Sequence, residues 1–164
     1  MIKMGDLVKD RISGFEGVVV AVSEYLYNAD RVCVRPNSLN EDGSLKDSNF
    51  FDNTSVDIIQ KNSAIVVPAP SLNSIPFNYL DTVKDKHSDF KGVVVAKITW
   101  INGCVRIGIQ PYYLEKCIPA DECFLPYQQL KLVKKSKEVV IKPADEIPTG
   151  GPRKNPNYVK DPKF

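Results

Sequence analysis

The stretch that decides the fold is Phe90 to Pro111, "FKGVVVAKITWINGCVRIGIQP". A β-branched run, Val93 to Val95, is bounded by turn signals and followed after "NG" by an alternating segment, Val105 to Gln110. That is the pattern of a β-hairpin rather than a helix. Asn102-Gly103 tolerates positive φ at both central positions and predicts a tight type I′ turn. An earlier stretch, Phe15 to Pro36, "FEGVVVAVSEYLYNADRVCVRP", has the same form with a looser turn at "YNAD".

Working outward, the two hairpins belong to a longer repeat. "DLVKDRISGFEGVVVA" lies over "DTVKDKHSDFKGVVVA" at a shift of 75 residues, and the register holds without a gap from Asp6/Asp81 through Arg31/Arg106 to Pro36/Pro111. This identity reads as an internal duplication of one structural unit. Each unit is expected to hold five short antiparallel strands. The first carries Val8 or Val83 inward, and Gly17 or Gly92 sits where the chain bends or another backbone approaches. Pro36 and Pro111 end the return strands, because proline cannot donate to a ladder. Polar excursions follow, and aromatic strands ("FFD", "CFLPY") lead to the closing strands "VDIIQ" and "LKLV".

The expected fold is therefore all-β: two tandem small SH3-like antiparallel barrels with an extended C-terminal arm. The divisions are residues 1–60 and 78–133 for the units, 61–77 for a Pro-containing linker, and 134–164 for the arm. In the linker, "AIVV" either adds an edge strand or packs across the junction.

Charge separates along the chain. From Lys134 onward stand eight Lys/Arg and four Asp/Glu, a net +4, which leaves −2 for residues 1–133. The Pro-rich arm "KKSKEVVIKPADEIPTGGPRKNPNYVKDPKF" has little apolar periodicity and reads as disordered in isolation. Extended at roughly 3.3 Å per residue, it would reach about 100 Å. It could wrap a neighbouring subunit, "VVIK" adding a strand to a partner's sheet and Tyr158 and Phe164 acting as anchors.

No run of the chain is apolar enough to span a membrane, and "MIKMGDLVKD" lacks the apolar core of a signal peptide. Synthesis in a reducing cytosol is expected, with Cys33, Cys104, Cys117 and Cys123 as structural thiols.

The pattern Lys-Asp, Ser-Gly-Phe-x-Gly, Asn-Gly-Cys and Gln-Pro resembles a group of small bacteriophage proteins, here in two copies. The second unit departs from it at Asp89 and the first lacks Asn-Gly-Cys. The strand–loop opening also resembles the KOW-type SH3-like modules of ribosomal and transcription-elongation proteins, where a basic strand and a Gly-bearing turn touch RNA.

Little else in the sequence carries chemistry. His87 is the one histidine and lies in a turn, so neither a zinc site nor an activated nucleophile has a partner for it. No phosphate-cradling glycine loop occurs. "SLNEDGSLKD" has the wrong acid spacing for calcium and reads as a hairpin tip. Lys9-Asp10 and Lys84-Asp85 read as charge guarding a strand edge. Arg31 and Arg106 could grip phosphate or carboxylate from equivalent places, or cover apolar surface with their stems. Tyr25 and Trp100 are read as inter-unit packing before base-stacking platforms.

No enzyme and no cofactor are expected. The expected function, as the phage resemblance implies, is binding and assembly by a protein made in the cytoplasm of a bacterial host and virion-associated, with protein partners or further copies of the chain. A sponge for a host nucleotide immune signal and a KOW-like RNA-binding module are the alternatives, with nucleic acid not favoured.

Overall fold

The computed structural model describes residues 1–70, 74–115 and 118–137. Tyr158, Phe164, Cys117 and the arm beyond Lys137 lie outside the described residues. The described chain is all-β and antiparallel. Its strands are β1 (Leu7–Asp10), β2 (Glu16–Tyr25), β3 (Arg31–Arg35), β4 (Asn49–Asp52), β5 (Val56–Gln60), β6 (Thr82–Asp85), β7 (Lys91–Trp100), β8 (Val105–Pro111), β9 (Leu114–Glu115), β10 (Ile118–Pro119), β11 (Cys123–Pro126) and β12 (Leu130–Lys134). A 3-10 turn, Tyr127–Gln129, precedes β12. Among the described residues no helix is long and apolar enough to cross a membrane.

Ten strands form one continuous sheet, with β9 and β10 as a separate small hairpin. The first five strands pair in the order β5-β1-β2-β3-β4, and β12-β6-β7-β8-β11 repeats that order. Strands 75 residues apart thus have the same neighbours. In the last two strands of each set the correspondence becomes 74, since Asp52 pairs with Arg31 and Asp57 with Lys9, whereas Pro126 pairs with Arg106 and Lys131 with Lys84.

Neither set closes into the barrel expected from the sequence. The C-terminal half of β2 extends past β1 and pairs with the C-terminal half of β7, so backbone groups are spent joining the two sets. In that seam Ser23 lies opposite Ile98, its own position 75 residues on, with Ala21 opposite Trp100 and Tyr25 opposite Ala96. The register therefore relates the two strands by a two-fold.

Alternation puts Val8, Val19, Val32, Val34 and Val56 into one core. Val83, Val94, Val105, Ile107, Ile109 and Leu130 fill the other, joined by Ile75 and Phe77. Val20, Ala21, Cys33 and Ile98 bridge them on the opposite face, covered by Trp100, Ile101 and Phe124. Each fully buried valine or isoleucine contributes about 1.5–3 kcal/mol relative to exposure.

Gly17 and Gly92 sit at the matching bend of each set. A Cβ on Gly17 would stand 2.2 Å from the Arg35 carbonyl oxygen, and one on Gly92 2.3 Å from that of Gln110. Backbone crosses backbone at van der Waals contact there, and only glycine fits.

Two local readings change, and a third is decided between its alternatives. The Asn102-Gly103 turn is not type I′. Only Gly103 has positive φ (80°), and its N–H donates to the Trp100 carbonyl while the Trp100 N–H donates to Cys104. This is a three-residue loop ending in a left-handed glycine, favoured because the Ile101 N–H is engaged by the Val20 carbonyl. Second, Lys9-Asp10 and Lys84-Asp85 do not guard edges, since β1 and β6 are each paired on both sides. Third, "AIVV" forms no strand. Ser63 and Ala64 donate to the Gly5 carbonyl and Val67 to that of Ile101, so the linker spans the junction although Ile65 stays exposed.

Candidate functional site

The register brings four of the six residues singled out in the sequence onto one face. Asp52, Arg31, Ser23, Ile98, Arg106 and Pro126 lie opposite one another across β4-β3-β2-β7-β8-β11, and directly opposed residues share a face. Tyr25 and Trp100 flank this row, each ending its strand. The two arginines differ. Arg31 Nε donates to Asp52 Oδ1 at 2.9 Å, whereas exposed Arg106 faces Pro126. Between them Ser23 and Ile98 are buried, so the row is filled rather than cleft. Trp100 packs over Ala21, Cys33 and Ile98, as its inter-unit reading requires. Burial pushes the Tyr25 hydroxyl's pKa up, and the neighbouring Glu122 carboxylate adds to this.

The opposite face of the same seam carries Lys97, directly across from Glu24. Its ammonium stands 5.2 Å from the centre of the Tyr79 ring, and Tyr79 Oη donates to the Glu24 carbonyl. Burial lowers the pKa of Lys97, while Glu24 and Asp81 oppose the shift. Burial raises that of Tyr79. Because Val22 occupies the corresponding place in the first set, this polar contact has no copy.

Buried carboxylates tie each set of strands together, a role that no side-chain pattern in the sequence signals. Asp6 Oδ2 accepts the Lys3 N–H at 2.9 Å and Oδ1 the Asn62 N–H at 3.0 Å. Asp81 repeats this with Asn78 at 2.9 Å and Ser136 at 2.8 Å. In each case one side chain joins the segment entering the first strand to the segment leaving the last.

Asp10 and Asp85 shape the turns that follow. Asp10 accepts both the N–H and the hydroxyl of Ser13, and Asp85 accepts the hydroxyl of Ser88. The Ser13 hydroxyl, then its N–H, hold Asp10 below the ordinary aspartate pKa, and the Ser88 hydroxyl does the same for Asp85. A carboxyl depressed by folding stabilises above its unfolded pKa and loses that contribution as pH falls through its folded value. The thermal midpoint should therefore fall as pH drops from about 5 toward 3. In Asp10→Asn/Asp85→Asn that acid-side slope should be shallower in differential scanning calorimetry.

Two hairpins project from equivalent places. Leu39 and Leu45 bridge the excursion after β3, and Leu114 pairs with Pro119 in that after β8. Leu39, Leu45, Leu114 and Ile118 are 55%, 63%, 64% and 66% exposed. The first tip is internally braced, Asp42 Oδ1 accepting the N–H (2.9 Å) and hydroxyl (2.6 Å) of Ser44. It is the hairpin tip expected of "SLNEDGSLKD".

Among the described residues no group of three His, Cys, Asp or Glu could hold a metal. His87 is exposed in its turn, and Cys33, Cys104 and Cys123 are free thiols. Comparison with protein-family models, curated proteins and solved structures finds no match.

Proposed function

We propose that the protein is a tandem pair of SH3-like units, arisen by internal duplication, that serves without enzymatic chemistry as a phage-type assembly protein. It works in the bacterial host and in the virion, its partners being further copies of the chain or other particle proteins. The observation that carries the reading is the pair of projecting hairpins. A braced tip that holds leucines in water gains nothing for its own unit, and apolar side chains exposed at two matched places suit a partner surface. The 75-residue correspondence in sequence and strand order supports duplication, and the two-fold seam is the pairing two identical units would make.

The test uses the full chain. Leu39→Ser/Leu45→Ser/Leu114→Ser/Ile118→Ser should stay folded, with each exposed substitution shifting stability by no more than about 0.5 kcal/mol. It should fail to enter particles when the purified particles are analysed by mass spectrometry. A chain ending at Lys137, which keeps the Ser136–Asp81 bond, should fail likewise if the arm wraps a neighbour. Normal incorporation of the quadruple variant would overturn the hairpin assignment, and absence of the wild-type protein from particles would overturn the assembly reading.

A further inference from the structure

The two sets of strands differ most in charge, on the outer face of their first, second and last strands. In the first set Glu16, Lys9 and Asp57 lie directly opposite one another across β2-β1-β5. Alternating charge there is the favourable arrangement. Asp57 is also held by Arg11, whose Nη1 donates to the Thr54 carbonyl. In the second set the same places are Lys91, Lys84 and Lys131 across β7-β6-β12. Lys86 takes the place of Arg11 and donates to the Gln128 carbonyl, but the acid that would answer it has become Lys131. Asp89, on the exposed turn, is paired with Lys84.

Three lysines on adjacent strands, about 4.8 Å apart, crowd like charge that a single acid, Asp89 beside Lys84, offsets, and the fold accepts an alternating pattern at the same positions of the first set. The row is extended. Lys134 lies opposite Thr82, whose Oγ1 is 2.9 Å from Tyr112 Oη. Thr82, Tyr112, Lys134, Lys135, Ser136 and Lys137 line a cleft of about 350 Å³ at that end of the face. Tyr112 is 65% exposed.

We infer that this face of β12-β6-β7 docks the backbone of single-stranded nucleic acid. Phosphates lie along the lysine row into the cleft, and Tyr112 offers a ring to an unpaired base. Lysines in register on adjacent strands suit a line of phosphates, and an exposed tyrosine beside a basic track suits stacking of single-stranded bases. This goes beyond the assembly reading and stands independently of it. The site is not Arg31 or Arg106, which lie on the seam face of other strands.

The test is fluorescence anisotropy of the full chain with a labelled oligo(dT) 20-mer across a salt series. Lys91→Glu/Lys131→Asp gives the second set the charge pattern of the first. It should weaken binding about tenfold or more at 50 mM salt and reduce the salt slope by about 1.4, two phosphate contacts at about 0.7 each. Its thermal midpoint should equal or exceed that of the wild type, which separates lost binding from lost folding. Tyr112→Leu should weaken binding about fivefold or more with the salt slope unchanged, as for a lost stack. Unaltered affinity in the double variant would place binding elsewhere, the basic arm included, and overturn the assignment. So would no binding by the wild type, equal affinity for duplex, or preferential binding of polyglutamate.

Discussion

Replacing Gly92 with alanine is expected to lower the free energy of unfolding by about 3 kcal/mol, and Gly17→Ala by a similar amount, read from urea denaturation midpoints at constant slope. The cost is steric. The added methyl would enter the Gln110 carbonyl in one case and the Arg35 carbonyl in the other, and neither is the movable end of a side chain. Relief requires β7 to separate from β8, or β2 from β3, where Gly92 meets Pro111 and Val18 meets Arg35. Those pairs lead straight into Ile109 and Val34, both buried in the cores, so a local shift spreads. A positive-φ glycine behaves differently. Gly14 has φ 72° and only the Lys9 side chain within 4 Å of an added Cβ. Gly14→Asn should be tolerated, because asparagine visits the left-handed region, whereas Gly17→Asn should fail as alanine does. Equal losses at Gly14 and Gly17 would show that backbone conformation, not crowding, sets the requirement.

What the sequence made legible and what it hid divide along one physical line. Strand identity is local. The β-branched runs, the terminating prolines and the alternation of Val32 and Val34 with Ile107 and Ile109 specify strands and inward faces without reference to the rest of the chain. The 75-residue identity then places Tyr25, Trp100, Arg31 and Arg106 in matching positions. Barrel closure is not local. It depends on where β2 and β7 spend their last five residues, and nothing in "AVSEY" or "AKITW" says that they pair with each other. Turn type failed for a related reason: Asn-Gly permits type I′, but a distant acceptor, the Val20 carbonyl, holds Ile101 and selects another loop. The lysine row was hidden twice over. Its members come from three strands, and the correspondence slips from 75 to 74 before β12, so Lys131 falls over Val56 rather than Asp57 when the repeat is extended without a gap. Asp6 and Asp81 were visible as identities, but their partners are backbone N–H groups up to 56 residues away, which no side-chain pattern records.

Those two carboxylates carry the other large effect. Asp81→Ala should cost about 3 kcal/mol, because the Asn78 and Ser136 N–H groups lose a charged acceptor at a site only 1% exposed. Asp6→Ala should cost a comparable amount through Lys3 and Asn62. Asparagine keeps the shape but offers one acceptor oxygen and an amide that faces a donor, so Asp81→Asn should recover only part of the loss. The consequences separate in space. Asp81 fastens the chain as it leaves β12, so its loss should speed limited proteolysis around Lys134 to Lys137. Asp6 fastens the start of the linker, and its loss should speed cleavage around Lys61. The two effects should add, since the carboxylates share no hydrogen-bond partner. Should Asp81→Ala instead loosen Lys61, the two sets of strands would be coupled through the β2–β7 seam strongly enough to open as one cooperative unit. The separate cores on either side of that seam argue for independent opening.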